Sequence, residues 1–237
     1  MGSINKLNKD LLPHSPKPTH STGDQKAESL SLIWPQPTTL QRFNPPLRLG
    51  VMASGNGSNF EALVKAAKRS ELDAHICALV VNNPNCEARR RAERLGVKCV
   101  VHDHRDFDSR EKLDQALVKT FSMLAVEGVV MAGWMRIVTS ILIDAYPNRL
   151  LNIHPSLLPS FRGLDAVDQA IKARVPLTGC SVHLVEPEVD AGQVLAQAAV
   201  PIMSSDNHLT LSKRIQRQEH QLLPIAVAIA GECWRSV

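Results

Sequence analysis

From Leu47 onward, short apolar runs alternate with longer amphipathic stretches. Seven runs have the length and composition of β-strands: 47–53, 76–81, 98–101, 128–132, 150–153, 181–185 and 194–200. The stretches between them have helical spacing: 59–69, 86–95, 109–124, 137–145, 166–173 and 208–233. Strands that alternate with helices are joined by right-handed crossovers. The sequence therefore predicts an α/β, Rossmann-like fold, in which helices cover both faces of a mostly parallel twisted sheet.

The first 46 residues differ in composition from the rest of the chain. They hold seven of the fifteen prolines and show no sustained hydrophobic period. Such a segment has too little apolar surface to order itself, so we expect residues 1–46 to be a flexible extension and residues 47–237 to form a single domain. The acidic residues Asp10, Asp24 and Glu28 argue against a targeting peptide. The short apolar stretch Leu32–Trp34 has the character to dock on the domain surface.

Composition argues against two classes of partner. The longest apolar runs, near 126–132 and 225–230, are far shorter than the roughly 18 residues that suggest a membrane span. The formal net charge of the chain is +4. The first 46 residues contain five Lys/Arg and three Asp/Glu and therefore carry +2, so the remaining residues also carry only +2. With one Tyr and three Trp, the chain offers little charge or stacking surface for nucleic acid. The five scattered cysteines form no C-x-x-C pair and indicate reduced thiols, so we expect a cytoplasmic protein.

No set of side chains has convincing spacing for a metal site. His102, Asp103 and His104 are the nearest approach to one. A polar loop between a strand and a helix explains them more simply. We therefore expect no metal.

The first candidate motif follows the first predicted strand directly, with the sequence SGNGSN at residues 54–59. Gly55 and Gly57 let the backbone approach an anion, and the following helix presents unpaired N–H groups at its N-terminus. The motif is neither G-x-G-x-x-G nor a Walker loop. Taken alone, the segment is equally compatible with a phosphate-binding loop and with a plain turn capped by Ser58 or Asn59.

The second motif, LNIHPSLLP at residues 151–159, places two polar residues at the carboxyl end of a predicted strand. Alternate residues share a face, and Pro155 favours an extended backbone at His154. Asn152 and His154 should therefore face one crevice, at the sheet edge where α/β proteins bind ligands. An amide N–H suits a developing oxyanion and an imidazole exchanges protons near neutral pH. Either residue alone would also suit a satisfied polar group at a strand end.

A third segment, SVHLVEPEVDAG at residues 181–192, joins a predicted strand to an acidic loop. Asp190 alone reads as a turn residue, but it is the best carboxylate partner for His154. Ser181 and His183 share a strand face and are secondary candidates.

Together these motifs resemble the folate-dependent formyltransferases. The match rests on NIHPSLLP (152–159) with Asp190, and the SGNGSN loop narrows it to the members that act on glycinamide ribonucleotide. It extends from about Leu47 to Ala230 and includes DSRE (108–111), AGWMRI (132–137) and QEH (218–220). It implies a formyltransferase catalytic domain that moves the formyl group of 10-formyltetrahydrofolate, as co-substrate, to the amine of glycinamide ribonucleotide in purine biosynthesis.

The resemblance also implies roles for single residues. Asn152, His154 and Asp190 would be catalytic, with the carboxylate holding the protonated imidazole and ordering a water. The residues implied to bind glycinamide ribonucleotide are Gly57, Ser58 and Asn59 at the phosphate, Glu219 at the ribose side and Gln216 nearby. Those implied to cradle the folate are Arg110, Met135, Arg136, Ile137, Val138, Asn152, Glu186 and Val189. Without the resemblance, residues 135–138 read as helix-start packing, and Arg110 and Glu219 as a solvated helix face.

Three other functions compete with this interpretation. A methionyl-tRNA formyltransferase would need a further tRNA-binding domain. A formyltetrahydrofolate deformylase would need an amino-terminal regulatory domain. A nucleotide-binding regulatory module would leave the Asn/His/Asp set without a purpose. We therefore expect two small-molecule substrates, no nucleic acid or membrane partner, and a monomer or homodimer.

Overall fold

The computed structural model describes residues 32–36 and 41–236. Eight strands form one sheet: β1 (Leu32–Trp34), β2 (Leu47–Ala53), β3 (Ala74–Val81), β4 (Cys99–Val101), β5 (Gly128–Met131), β6 (Leu150–His154), β7 (Leu177–Leu184) and β8 (Val194–Pro201). Their spatial order is β1-β8-β7-β6-β5-β2-β3-β4. The neighbouring pairs β6–β5, β5–β2, β2–β3 and β3–β4 are parallel. The β6–β7, β7–β8 and β8–β1 pairs are antiparallel. The predicted α/β class and mostly parallel sheet are confirmed.

Within residues 41–236, six α-helices connect or follow these strands: α1 (Ser58–Lys68), α2 (Glu87–Leu95), α3 (Arg110–Met123), α4 (Ser140–Ala145), α5 (Ala166–Ala173) and α6 (His208–Arg235). The alternation of side chains along β2 shows how the two faces are filled. Leu49 and Val51 belong to a core with the apolar faces of α1, α2 and α6. Met52 belongs to a second core with α3 and α4. The helices therefore cover the sheet from both sides.

One predicted helix start lies elsewhere in the structure. The helix predicted over 137–145 begins only at Ser140 as α4, and residues 135–138 form an irregular loop. The loop ends at Thr139, whose backbone N and Oγ1 both donate to the buried carboxylate of Asp114. The start predicted at residue 109 agrees with the structure, because Ser109 is the N-cap of α3 and its Oγ accepts from the N–H of Lys112 at 3.2 Å.

β1 lies inside the segment that we expected to be a flexible extension. It pairs with β8, and Ile33 packs against the first core. Phe43 packs there too, and its N–H donates to Asp73 Oδ2 at 2.7 Å. The boundary at residue 47 is thus too late, because the unit containing the sheet is Ser31–Val237. Residues 1–31 and 37–40 lie outside the described residues, and for them the expectation stays a prediction.

Three properties of the described residues bear on the expected surroundings. No helix there is long and apolar enough to cross a membrane. The five cysteines are free thiols, and burial raises the pKa of Cys77, Cys99 and Cys180. His102 Nε2 lies 2.8 Å from Thr120 Oγ1, and His104 Nδ1 lies 2.9 Å from the Asn82 carbonyl oxygen. Both imidazole rings are therefore hydrogen-bonded to other residues of the fold.

Candidate active site

A cavity of about 880 Å³ lies at the carboxyl ends of β2, β5 and β6. From β2 the chain proceeds outward to β3 and β4, and it later returns through β5 to β6 on the other side of β2. The loops after β2 and β5 therefore diverge, and open α/β sheets bind ligands in the crevice at such a point. Residues 55–59 and 132–138 line the cavity from these two loops, with residues 152–155 at the end of β6.

His154 ends β6 with both ring nitrogens beside acceptors. Its Nε2 lies 2.8 Å from the Phe161 carbonyl oxygen and its Nδ1 lies 3.2 Å from Asp190 Oδ2. A carbonyl oxygen only accepts hydrogen bonds, so Nε2 carries a proton. If Nδ1 also carries a proton, it can donate a second hydrogen bond to the Asp190 carboxylate. The ring is 6% exposed. His154 is thus a buried imidazole arranged to carry positive charge.

Asp190 lies in the β7–β8 connection with φ of 53°. Asp tolerates this left-handed conformation better than most residues. Its Oδ2 also accepts the N–H of Gly163 at 2.9 Å. Burial raises the pKa of this carboxyl, but the bonds from His183 and Gly163 and the charge of His154 outweigh it and hold the pKa below its ordinary value. Asp190 is therefore an ionised partner of His154.

Asn152 is held by His183, its direct neighbour across the β6–β7 pair. Asn152 Nδ2 lies 3.1 Å from His183 Nε2 and 3.4 Å from Asp190 Oδ1. His183 Nδ1 lies 2.7 Å from the Leu184 carbonyl, so this nitrogen carries a proton. His183 Nε2 also lies 3.5 Å from Asp190 Oδ1, so His183 and Asp190 both lie against the Asn152 amide. The face shared by Ser181 and His183 was the only sequence signal for this role.

Ser181 has a structural role below the site. Its Oγ donates to the Ser156 carbonyl at 2.7 Å and accepts from the N–H of Leu158 at 3.0 Å. It thus ties the loop after His154 to β7.

The SGNGSN loop presents the start of α1 to the cavity. Gly57 is the N-cap, with φ of 76°, and no side chain caps the helix. The first intrahelical bond runs from Glu61 N to the Gly57 carbonyl at 3.0 Å. The N–H groups of Ser58, Asn59 and Phe60 precede that bond, and free N–H groups at a helix N-terminus suit an anion. Gly57 is the N-cap, so the expected cap by Ser58 or Asn59 is wrong, and phosphate binding by the loop stays a prediction.

Side chains from α6 bind both polar residues of the loop. Gln216 Nε2 donates to Ser58 Oγ at 2.9 Å. Asn59 Nδ2 donates to Glu219 Oε2 at 2.9 Å. Burial raises the pKa of Glu219, and the bond from Asn59 only partly offsets that rise. These four residues form a polar wall of the cavity, in which Asn59 and Glu219 are buried, Ser58 is half-buried and Gln216 is exposed.

Other residues that line the cavity are apolar and exposed. They are Met135, Ile137, Leu164 and Val189, and each is between 46% and 74% exposed. Exposed large apolar side chains that line one cavity mark a binding surface. We call these four residues the apolar rim.

The structure brings nearly all of the predicted site residues to this cavity. The wall includes the catalytic candidates, the loop, α6 and the folate candidates Met135, Arg136, Ile137, Val138, Glu186 and Val189. Arg110 is exposed at the start of α3, and the cavity wall does not include it. Sequence reasoning missed the Phe161 carbonyl and the Gly163 N–H, because both are backbone groups of a loop that folding brings to His154 and Asp190.

No group of three or more His, Cys, Asp or Glu side chains in the described part of the chain could hold a metal ion. Metal independence remains a prediction.

Comparisons with known proteins agree with this arrangement. A family model described as formyl transferase matches residues 47–227. Phosphoribosylglycinamide formyltransferase of Bacillus subtilis (strain 168) is 37% identical over 180 residues, covering 76% of this chain and 92% of that protein. The trifunctional purine biosynthetic protein adenosine-3 of Gallus gallus is 39% identical over 185 residues, covering 78% of this chain and 18% of that protein. This chain therefore spans less than a fifth of the larger relative.

Solved structures give the same relationship. Glycinamide ribonucleotide transformylase 1 from Symbiobacterium toebii superposes with a TM-score of 0.78 at 34% identity, covering 82% of this chain and 94% of that chain. The corresponding enzyme from Geobacillus kaustophilus gives a TM-score of 0.75 at 38% identity, covering 78% of this chain and 98% of that chain. With the family model matched across the sheet and the cavity, the chain belongs to the formyl transferase family.

Proposed function

We propose that this protein transfers the formyl group of 10-formyltetrahydrofolate to the amine of glycinamide ribonucleotide. The observation that carries the proposal is one cavity whose lining includes the Asn152/His154/Asp190 set together with two unlike groups of residues. The polar wall offers an uncapped helix N-terminus, which suits a phosphate. The apolar rim suits the flat rings of a folate.

The polar wall suits a phosphorylated ribose. Backbone N–H groups at residues 58–60 would hold the phosphate, and the loop has no acidic side chain to repel it. Glu219 and Gln216 come from α6 behind the loop and offer hydrogen-bonding groups to the ribose side. Asn59 acts through Glu219, since its side-chain amide donates to that carboxylate.

The chemistry at the centre is acyl transfer. The amine of glycinamide ribonucleotide attacks the formyl carbon, a tetrahedral intermediate forms, and the folate nitrogen leaves. His154, which lies between the Phe161 carbonyl and Asp190, supplies positive charge to the developing oxyanion when both of its ring nitrogens carry a proton. Asn152, which lies 3.1 Å from His183, adds an amide donor.

A proton must also move from the attacking amine to the leaving nitrogen. Asp190 is an ionised carboxylate with partners on both oxygens, so we assign it the role of holding the imidazolium and of ordering a water that relays the proton. No step requires a metal. We further propose that the protein acts in the cytoplasm as a monomer or homodimer.

The test is to incubate the protein with 10-formyltetrahydrofolate and to measure release of tetrahydrofolate with and without glycinamide ribonucleotide. We expect release only with the acceptor, and formylated acceptor in equal amount. Equal release without the acceptor would instead indicate a deformylase. Formylation of methionyl-tRNA in place of glycinamide ribonucleotide would indicate the tRNA enzyme. Binding without turnover would support a regulatory module.

A further inference from the structure

Helix α2 lies behind the SGNGSN loop and binds its carbonyl groups. The N–H of Ala88 donates to the Gly55 carbonyl at 3.0 Å. Arg91 Nε donates to the Asn56 carbonyl at 2.8 Å, and Arg91 Nη2 donates to Asn56 Oδ1 at 3.0 Å. The Gly57 carbonyl accepts from Glu61 N within α1. Three consecutive carbonyl groups therefore have partners on the helical side of the loop.

These bonds to the carbonyl groups also determine the direction in which the neighbouring N–H groups of the loop point. In a trans peptide the carbonyl of one residue and the N–H of the next point in opposite directions. Because the carbonyl groups of Gly55, Asn56 and Gly57 point to the helices, the N–H groups of Asn56, Gly57 and Ser58 point away from them. Residues 55–59 line the cavity on that side.

Arg91 is itself held in place by a buried carboxylate. Its Nη1 pairs with Glu61 Oε2, and Glu61 also pairs with Lys65 and Arg94. The Arg91 side chain is 22% exposed, whereas that of Arg94 is 61% exposed. The cavity wall does not include Arg91. The guanidinium thus pairs with Glu61 through Nη1 and donates to Asn56 through Nε and Nη2.

We propose that Arg91 is a positioning residue for phosphate recognition. It fixes the Asn56 peptide so that the loop N–H groups face the substrate phosphate, without touching the substrate itself. The proposal rests on the assignment of this loop to the phosphate of glycinamide ribonucleotide. A guanidinium suits the role because its rigid fork binds the Asn56 carbonyl, the Asn56 side chain and Glu61 together, which an ammonium cannot do.

The test compares two acceptors, glycinamide ribonucleotide and glycinamide riboside, which lacks the phosphate. In Arg91→Met we expect KM for the ribonucleotide to rise about tenfold, the size of losing a hydrogen bond to a charged group. The KM values for the riboside and the folate, and kcat, should change less than about twofold. Arg91→Lys keeps the charge and should show most of the same loss. A merely structural role would weaken both acceptors equally.

Arg94→Met is the matched control, because Arg94 shares Glu61 but does not contact the loop. It should leave the preference for the phosphorylated acceptor unchanged. An equal effect of Arg94→Met, an equal loss for both acceptors, or normal behaviour of Arg91→Lys would overturn the proposal.

Gly57→Val separates this proposal from the loop assignment. If Gly57→Val keeps the preference for the phosphorylated acceptor, the loop is not the phosphate site. If Gly57→Val loses the preference and Arg91→Met keeps it, only the role of Arg91 fails.

Discussion

The polar wall and the apolar rim of the cavity are built in different ways. The polar wall consists of a helix terminus and side chains whose partners are other side chains, such as the 2.9 Å bonds from Asn59 to Glu219 and from Gln216 to Ser58. The apolar rim consists of exposed side chains on irregular loops, and Leu164 is 74% exposed. The polar wall is organised before ligand binds. The rim gains most of its burial only when a ligand covers it.

The difference implies different penalties for substitution. A substitution in the polar wall leaves the substrate phosphate without its fixed hydrogen-bond donors. The resulting loss of affinity should be large and confined to the substrate that carries the phosphate. A change in the rim removes part of an apolar surface, and each side chain contributes a modest share. The Asn152/His154/Asp190 set should affect turnover in preference to binding at the polar wall or the apolar rim.

The largest effect is expected at the catalytic set. Asp190→Asn keeps the size of the side chain and removes its charge, so the imidazolium of His154 loses its partner. We expect turnover to fall by about two orders of magnitude, as when charge stabilisation at an oxyanion is removed, while both KM values change little. Steady-state kinetics measure this. Glu188→Gln is the control, because Glu188 lies in the same loop and pairs with Arg162 at the surface. Near-normal turnover of Asp190→Asn would return Asp190 to a turn residue.

The next effect concerns the polar wall. A Cβ at Gly57 would lie 2.8 Å from Ala88 Cα, and the φ of 76° disfavours a side chain. Gly57→Val should therefore displace the loop and raise KM for glycinamide ribonucleotide by about 10- to 100-fold, with little change in KM for the folate. Thermal unfolding reports whether the variant is folded. If a folded variant weakened both substrates equally, the polar wall and the apolar rim would not serve separate substrates.

A smaller effect is expected at the apolar rim. Ile137 is 56% exposed and lines the cavity. Ile137→Ser should raise KM for 10-formyltetrahydrofolate by roughly three- to tenfold and leave KM for glycinamide ribonucleotide unchanged, because only part of one apolar side chain is lost. Leu177→Ser is the control, since Leu177 has the same exposure of 56% but lies outside the cavity wall. The assignment of the rim to folate fails if the two variants behave alike.

The smallest effect concerns the support beneath the polar wall. Burial raises the pKa of Glu61, but the bonds and charges of Lys65 and Arg91 outweigh it and lower the pKa from 4.5 to about 2. A lowered pKa in the folded state stabilises the fold above pH 4.5, and that stability is lost as the pH falls towards 2. The free energy of unfolding should thus depend less on pH in this window for Glu61→Gln than for the unchanged protein. Urea unfolding at several pH values measures it.

The control for this last effect is Glu71→Gln. The pKa of Glu71 is also lowered, by its bond to Arg69, but that pair is solvent-exposed and screened. It should change the pH dependence much less than Glu61→Gln. Equal effects would show that the contacts of Glu61 add nothing to those of a surface pair.

Much of the fold and the catalytic set was predictable from local sequence. The pattern of apolar residues predicted β2 and α5 to the residue, because β2 is an apolar run buried on both faces and α5 has helically spaced buried residues. The spacing of Asn152 and His154 predicted a shared crevice, because alternate strand residues point to one side. The SGNGSN loop was recognisable since a left-handed Gly57 and a helix start are local features.

Tertiary structure alone decided the rest. β1 has three residues and no period, and it is a strand only because β8 pairs with it and the core receives Ile33. The partners of His154 and Asn152, namely the Phe161 carbonyl and His183, lie on other segments. The bond from Arg91 to the Asn56 carbonyl likewise joins two segments that are 35 residues apart. Local sequence therefore determined which elements form and where the polar residues stand on them, because periodicity and turn chemistry act over a few residues. Only the folded chain decided which of those residues meet, because such contacts join segments far apart in sequence.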